Sequence, residues 1–246
     1  MLQKVIFILL IAITAISCQF TETLYLNEDG SGTMSIEMDM SEMMGFGGDM
    51  KGDSTTVKMD TIISMKDLLE EKKDSISRLS ETDQNRLKKM ENYNIRMIMD
   101  SETGTMLFNL YSDFESIEEI NDIFRGLEQT SSLMPGLNAN MGKGENDDSK
   151  DLIGVSYSFN NRIFIRDAYI KDKELHKQEV DSIKGSEAFM STMRYRLKYT
   201  FPRKIIKSSI ENAKFSLDGK TIEVEIGFLE YFKNPDLLDL EVELEN

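Results

Sequence analysis

Cys18 is the only cysteine of this 246-residue chain, and it follows a short apolar run near the N-terminus. The run, VIFILLIAITAI over residues 5–16, comes after the basic residue Lys4. About 20 apolar residues are needed to cross a bilayer as a helix, so this run is too short for a permanent span and has the length of a secretory signal. Because a single cysteine cannot form an intrachain disulfide, burial of apolar side chains must stabilise the fold.

Residues 15–18, A-I-S-C, resemble the lipobox of the bacterial lipoproteins. In that family diacylglycerol is attached to the cysteine thiol, and the chain is cleaved just before it. Ala15 departs from the leucine preferred at the first position. The resemblance implies that residues 1–17 are a signal peptide and that Cys18 becomes the lipidated N-terminus. The alternative is an ordinary signal peptide with an incidental cysteine, and the position of Cys18 at the end of the apolar run argues against it.

The residue after the cysteine and the net charge bear on location. The enterobacterial sorting pattern retains lipoproteins with Asp at this position in the inner membrane, so Gln19 favours the outer membrane and, by default, its periplasmic side. Loss of Lys4 with the signal takes the formal charge from −15 to −16. So negative a chain is not expected to bind nucleic acid or lie flat on anionic lipid, which leaves the acyl chains as the membrane attachment.

Alternating apolar residues predict a series of β-hairpins separated by helices. Hairpins are expected over residues 21–40, 95–110, 155–169 (around Asn160-Asn161) and 212–226 (around Asp218-Gly219), and a last strand over 240–244. Helices are expected over 66–79, from Ser80 to about 92, from a capping box at 116–119 to Leu127, and over 173–190. This order predicts a single α+β domain over 18–246: a large twisted antiparallel sheet with helices packed on one face. Flexible loops are expected near 43–56 and 131–151.

The sequence predicts no catalytic site, no cofactor and no metal site. The single histidine, His176, stands among charged residues and is expected on a solvated helix face. No nucleophile elbow, P-loop, dinucleotide-binding glycine motif or H-E-x-x-H zinc motif occurs. The many paired carboxylates are typical of the solvated surface of an acidic protein.

Methionine is unusually frequent, with 17 residues, and many of them fall between Met34 and Met65. Flexible thioether side chains fill cores and form adaptable apolar surfaces, and they also bind Cu(I). Several methionines and a phenylalanine lie in a glycine-rich segment where no core position requires them. We therefore predict that an apolar ligand or a partner contacts Met38, Met40, Met43, Met44, Phe46 and Met50. A core role for Met38 and Met40, and Cu(I) binding, are the alternatives.

Three short motifs extend the resemblance beyond the lipobox. L-N-E-D-G-S-G at 26–32, F-P-R-K at 201–204 and D-G-K at 218–220 resemble uncharacterised lipoproteins of the Bacteroidetes type and, more distantly, the LppM-like lipoprotein domains. The resemblance implies an α+β fold related to lipid-binding proteins, with no catalytic site. It favours a non-enzymatic, membrane-anchored envelope protein that binds lipid or another apolar ligand between sheet and helices. The alternative is an interaction or scaffold lipoprotein whose partner is another envelope protein.

Overall fold

The computed structural model describes residues 19–42, 56–121, 152–185 and 187–246. The predicted signal peptide, Cys18 and almost all of the two predicted loops lie outside these residues.

The described residues form strands and short helices in the predicted order. The strands are β1 (Gln19–Leu26), β2 (Gly32–Asp39), β3 (Lys58–Ser64), β4 (Asn94–Asp100), β5 (Thr105–Phe114), β6 (Ile153–Asn160), β7 (Ile163–Ile170), β8 (Arg194–Thr200), β9 (Ile205–Ser208), β10 (Lys214–Phe215), β11 (Thr221–Gly227) and β12 (Leu240–Leu244). The helices are α1 (Met65–Glu71), α2 (Lys73–Ile76), α3 (Glu81–Lys89), α4 (Lys173–Ser182), α5 (Glu187–Met190) and α6 (Phe228–Lys233). Short 3₁₀ turns cover Ile117–Ile120, Ile183–Gly185 and Pro235–Leu238.

The strands form two sheets, which confirms the predicted α+β class. The larger sheet has eight strands in the order β10-β11-β8-β1-β2-β5-β4-β3, and the smaller has four in the order β6-β7-β12-β9. Every pair is antiparallel except β1 and β8, which run parallel. The second sheet and the parallel pair were not predicted, because they join segments far apart in the sequence.

One face of the large sheet is apolar and supports the core. On β1 and β2 the inward residues alternate, so that Leu24 pairs with Met34 and Phe20 with Met38. Residues of the small sheet, of α1 and of the segment after α3 pack over this inner face. They cover the apolar side chains that the alternation directs to one side of the large sheet. The fully buried members of this core include Leu24, Ile36, Met65, Ile95, Leu110, Phe164, Leu197, Tyr199, Ile222, Leu238 and Val242.

Two of the predicted local signals are shifted or wrong. The turn between β6 and β7 consists of Asn161 and Arg162, both with positive φ (51° and 70°), one residue later than predicted because Asn160 pairs with Ile163. Ser116 does not cap a helix: its hydroxyl donates to the Glu118 carboxylate, and only a 3₁₀ turn follows. The remainder of that predicted helix lies beyond the described residues.

The prediction for His176 is wrong. Its side chain is buried on α4, and its Nε2 lies 2.7 Å from the carbonyl oxygen of Phe232 on α6. The imidazole therefore joins two helices, although charged residues surround it in the sequence. A partly apolar helix turn can bury one face while its charged neighbours remain in solvent, which is how α4 is arranged.

Candidate functional site

A row of methionines crosses one end of the large sheet. Met59 on β3 pairs with Met99 on β4, and Met99 pairs with Met106 on β5. Just beyond β2, the backbone N–H of Met40 donates to the carbonyl oxygen of Met106 at 2.8 Å. Neighbouring strands lie about 4.8 Å apart, and directly paired side chains share a face. Four methionines on four adjacent strands therefore lie side by side.

A second row follows two residues further into the sheet. Met38 on β2 pairs with Phe108 on β5, and Phe108 pairs with Met97 on β4. Both rows lie on the inner face of the large sheet. Met38 pairs with Phe20, and Phe20 is on the same side of β1 as Glu22, which is buried in the core. We call this surface the methionine face and define it as Met38, Met40, Met59, Met97, Met99 and Met106.

Burial decreases across the methionine face from the core to the sheet end. Met38 is buried at 7% exposure, whereas Met40 and Met97 are half-buried against the core. Met59, Met99 and Met106 are also half-buried. Unbranched thioether side chains adapt to irregular apolar shapes and make favourable contacts with aromatic rings. A face of this composition can accept an acyl chain or another flexible apolar group.

The methionine face lies at the end of the sheet where the described chain begins. Gln19 is the first residue of β1, and it pairs with Asp39 on β2 and with Arg194 on β8. With its amide oxygen turned toward β8, Gln19 also accepts a hydrogen bond from Nη2 of Arg196 at 2.8 Å. Both the backbone and the side chain of Gln19 are thus fixed within the sheet. Cys18 is joined directly to this ordered residue, with no linker between them.

The sequence prediction located only part of this surface. Met38 and Met40 belong to the methionine face, Met38 within the core and Met40 at its border. The predicted contacts Met43, Met44, Phe46 and Met50 lie outside the described residues. Sequence analysis did not connect Met59, Met97, Met99 and Met106 to the site, although Met97 and Met99 alternate within one strand. Their adjacency depends on strand pairing, which the alternation alone does not specify.

The opposite end of the sheet carries a cleft of different chemistry. The cleft has a volume of about 670 Å³. Its lining consists of Asn92, Asn94, Tyr111, Asp113, Phe114, Glu115 and Glu119. Three carboxylates make this cleft unsuitable for an acyl chain, because charged groups would lose their hydration against hydrocarbon.

A fully buried ion pair lies between the two sheets. Nη2 of Arg166 on β7 is 3.1 Å from Oε2 of Glu22 on β1, and both side chains are 0% exposed. The Arg166 Nη1 group donates to the carbonyl oxygen of Leu238 at 3.0 Å, and the guanidinium carbon lies 5.8 Å from the centre of the Tyr231 ring. The charge of Arg166 is therefore satisfied on several sides, as a buried charge requires.

Three tyrosine hydroxyls complete the coordination of the carboxylate. Tyr157 donates to Oε1 of Glu22 at 2.6 Å and Tyr195 to Oε2 at 2.8 Å. The hydroxyl of Tyr199 also donates to Oε1. Strand register explains this arrangement. Glu22 pairs with Leu197 on β8, so Tyr195 and Tyr199, which stand two residues before and after Leu197, lie diagonally next to the carboxylate. In the small sheet, Tyr157 pairs directly with Arg166.

The pKa of Glu22 is determined by opposing effects. Burial by itself would raise the pKa of this carboxyl, but the charge of Arg166 and the hydrogen bonds from Arg166, Tyr157 and Tyr199 together hold it below its usual range. Burial, with the charge of Glu22, raises the pKa of the Tyr157, Tyr195 and Tyr199 hydroxyls well above that of a free tyrosine. These tyrosines therefore stay protonated and act as donors. Because every charged group of the cluster is buried and paired, the cluster is suited to holding the sheets together rather than to binding a substrate.

The described residues include no helix long and apolar enough to cross a membrane. Within the same residues, no group of three His, Cys, Asp or Glu side chains is arranged to hold a metal ion.

Neither a protein-family model nor a curated protein matches this chain. Among solved structures, the chain is similar to the NMR structure of the folded domain of Mycobacterium tuberculosis LppM. The two are 8% identical, the alignment covers 93% of this chain and 90% of that one, and the TM-score is 0.34. This is a distant structural similarity only. The resemblance to Bacteroidetes-type lipoproteins stays a prediction.

Proposed function

We propose that the protein is a membrane-anchored, non-enzymatic lipoprotein of the bacterial envelope that holds lipid or another apolar ligand against its methionine face. The observation that carries this proposal is the coincidence of two features at one end of the large sheet. The methionine face ends there, and β1 begins there at Gln19, the residue that follows the sole cysteine. An acyl anchor on Cys18 would bring an adaptable apolar surface next to the lipid.

The anchoring part of the proposal is tested by metabolic labelling with palmitate. The unmodified protein should incorporate label and fractionate with membranes, and Cys18→Ser should lose both properties. Equal labelling or fractionation of the two would contradict the proposal. Separation of inner and outer membranes tests the further expectation, based on Gln19, of an outer-membrane location facing the periplasm.

The ligand part is tested by native mass spectrometry of protein isolated from envelope extracts. Co-purified lipid should be present in the unmodified protein and depleted in a Met99→Gln, Met106→Gln variant, in which two adjacent thioethers of the face become polar. Met193→Gln is the matched control, since Met193 is half-buried outside the methionine face. A delipidated protein that binds no acyl chain would exclude this function.

Cu(I) binding is a second candidate for the same residues, because Met40, Met99 and Met106 lie on adjacent strands and thioethers are soft ligands. Replacement of methionine by leucine keeps the surface apolar and removes the sulfur ligand. Met99→Leu with Met106→Leu should therefore abolish a true Cu(I) site under reducing conditions and leave acyl-chain binding nearly unchanged.

The interaction alternative is favoured by a different surface. On the outer face of the small sheet, Ile163, Ile165 and Tyr169 of β7 are 37–40% exposed, and Ile206 of β9 is 58% exposed. Ile163 and Ile165 lie beside Glu243 and Glu241 of β12, so this surface mixes exposed apolar and acidic side chains, as many protein–protein interfaces do. Crosslinking in cells should then join one envelope protein to the unmodified chain, and Ile165→Lys should abolish this crosslink. Leu217→Lys, at an isolated exposed position, should retain it.

A further inference from the structure

We infer that the end of the large sheet carrying Gln19, Asp39 and Arg194 faces the bilayer, with the strands directed away from the membrane. This inference rests on the proposed acylation of Cys18 and adds to it the surface that meets the lipid headgroups.

The reach of the anchor carries the inference. One residue spans at most about 3.6 Å, so an acylated Cys18 holds Gln19 close to the headgroups. Gln19 cannot move away by fraying, because β1 is an interior strand paired on both sides at this position. With the strands directed away from the bilayer, the eight residues of β1 extend roughly 25 Å at about 3.3 Å each and place the turn at Gly30 far from the lipid.

The same reach excludes attachment through the small sheet. Its exposed apolar residues Ile163, Ile165 and Tyr169 lie on the side facing away from the large sheet. Packed sheets are separated by about 10 Å, so a bilayer touching that surface would lie further from β1 than one residue can span. The outer face of the small sheet therefore remains accessible to a protein partner while the anchor is in the membrane.

A flat orientation on the outer face of the large sheet is disfavoured by its charges. Glu37, Asp113 and Lys198 are exposed on this face, and Arg196 and Arg96 form ion pairs there with Glu225 and Asp60. Contact with lipid would dehydrate these groups, and the surface of an anionic leaflet would repel the carboxylates.

Both basic and acidic groups lie at the inferred membrane-facing end. Arg194 is exposed there and is suited to contacting phosphate, whereas Lys58 is exposed but pairs with Asp100. Asp39 accepts there from the Ser41 backbone N–H, and Asp100 accepts from two backbone N–H groups and pairs with Lys58, whereas Glu102 in the turn between β4 and β5 is exposed. The acidic cleft lies at the opposite end. The far end also carries basic residues, such as Arg203, which pairs with Glu28. The reach of the anchor, and not charge alone, therefore determines which end faces the bilayer.

The chain contains no tryptophan, so single tryptophans can report depth without background. The chain from Cys18 onward, which includes every described residue, is coupled through its only thiol to a maleimide lipid in phosphatidylcholine–phosphatidylglycerol vesicles, and attachment is checked by flotation. Val57→Trp reports the membrane-facing end and Leu217→Trp the far end; both positions are exposed, at 42% and 111%. Asp113→Trp reports the outer face, because Asp113 is exposed there and pairs with Thr33, far from the end that carries Gln19.

Brominated lipids should quench Val57→Trp several-fold more than Leu217→Trp or Asp113→Trp. Quenching of Asp113→Trp equal to that of Val57→Trp would mean that the sheet lies flat, and absent or reversed quenching would mean that another surface faces the lipid; each result would overturn the inference. Because the chemical coupling supplies the anchor, this outcome is independent of acylation in cells, which palmitate labelling tests separately.

Discussion

Glu22 and Arg166, 144 positions apart in the sequence, form an ion pair at 3.1 Å that joins the two sheets of the core. Dehydrating two charges is costly, and the pair is tolerable because three tyrosines and the Leu238 carbonyl satisfy the remaining hydrogen-bonding groups. A shift of one residue between β1 and β8 would turn the carboxylate away from both β8 tyrosines. The cluster thus favours one arrangement of the sheets over others.

The first prediction concerns loss of one member of the pair. Arg166→Met keeps most of the side-chain volume but leaves the Glu22 carboxylate buried without its counter-ion, and it should lower the free energy of unfolding by about 3–5 kcal/mol. Chemical denaturation monitored by circular dichroism measures the change.

The matched control is the exposed pair of Arg96 with Asp60, which has two hydrogen bonds at 2.8 and 2.9 Å. Arg96→Met should lower the free energy of unfolding far less than Arg166→Met does, because solvent screens this pair. Similar losses of stability in Arg166→Met and Arg96→Met would mean that burial does not increase the contribution of the Glu22–Arg166 pair.

The second prediction is the pH dependence of stability. The folded-state pKa of Glu22 lies below its ordinary value of about 4.3, so the ionised carboxylate stabilises the native state. This contribution is complete above the unfolded-state pKa and is lost as the pH falls through the folded-state pKa. The stability difference between the unmodified protein and Glu22→Gln should therefore stay constant from pH 7 to about 5 and shrink below about pH 4.

The comparison with Glu22→Gln is needed because exposed acids titrate in the same range. Asp60 and Glu28, for example, also have a lowered pKa, caused mainly by hydrogen bonds from Arg96 and Arg203. Their effects are common to both proteins and cancel in the difference. A difference that is independent of pH down to 3 would contradict the role assigned to Glu22.

The sequence predicts the local elements well because their signals are local. Met34, Ile36 and Met38 alternate on one side of a polar turn, and Asp218-Gly219 supplies a tight turn; both segments are hairpins in the structure. The hydroxyl of Ser80 caps α3 by accepting from the Asp83 N–H, as its sequence context predicts. β9 was missed, since Ile205–Ser208 is short and has little alternation.

Neither the buried cluster nor the methionine face could be assembled from the sequence alone. One signal was available: Glu22 interrupts the inward series Phe20, Leu24 and Leu26, and Arg166 stands between the inward residues Phe164 and Ala168. A charge at a core position predicts a buried partner. Which charges meet depends on β1 joining β8 in parallel and on packing between sheets, and neither has a local signature.

The third prediction concerns His176. His176→Leu should lower the free energy of unfolding by about 1–3 kcal/mol, because the Phe232 carbonyl loses its hydrogen-bond partner between α4 and α6. Lys177→Leu, at the exposed neighbouring position of the same helix, should change it by about 0.5 kcal/mol or less. Thermal unfolding distinguishes the two. Equal effects would mean that the imidazole contact adds nothing to helix packing.

The last prediction separates the position of the anchor from the stability of the fold. Insertion of ten Gly/Ser residues between Cys18 and Gln19 adds a coil with an end-to-end distance of about 17 Å and leaves the pairing of β1 intact. The free energy of unfolding should therefore remain the same, while quenching of Val57→Trp by brominated lipid should fall toward the Leu217→Trp level. Undiminished quenching would show that the sheet end binds the bilayer on its own, with Lys58, Arg194 and the methionine face providing the contact. A rise in Leu217→Trp quenching would show instead that the direct junction of Cys18 to β1 is what keeps the far end away from the membrane.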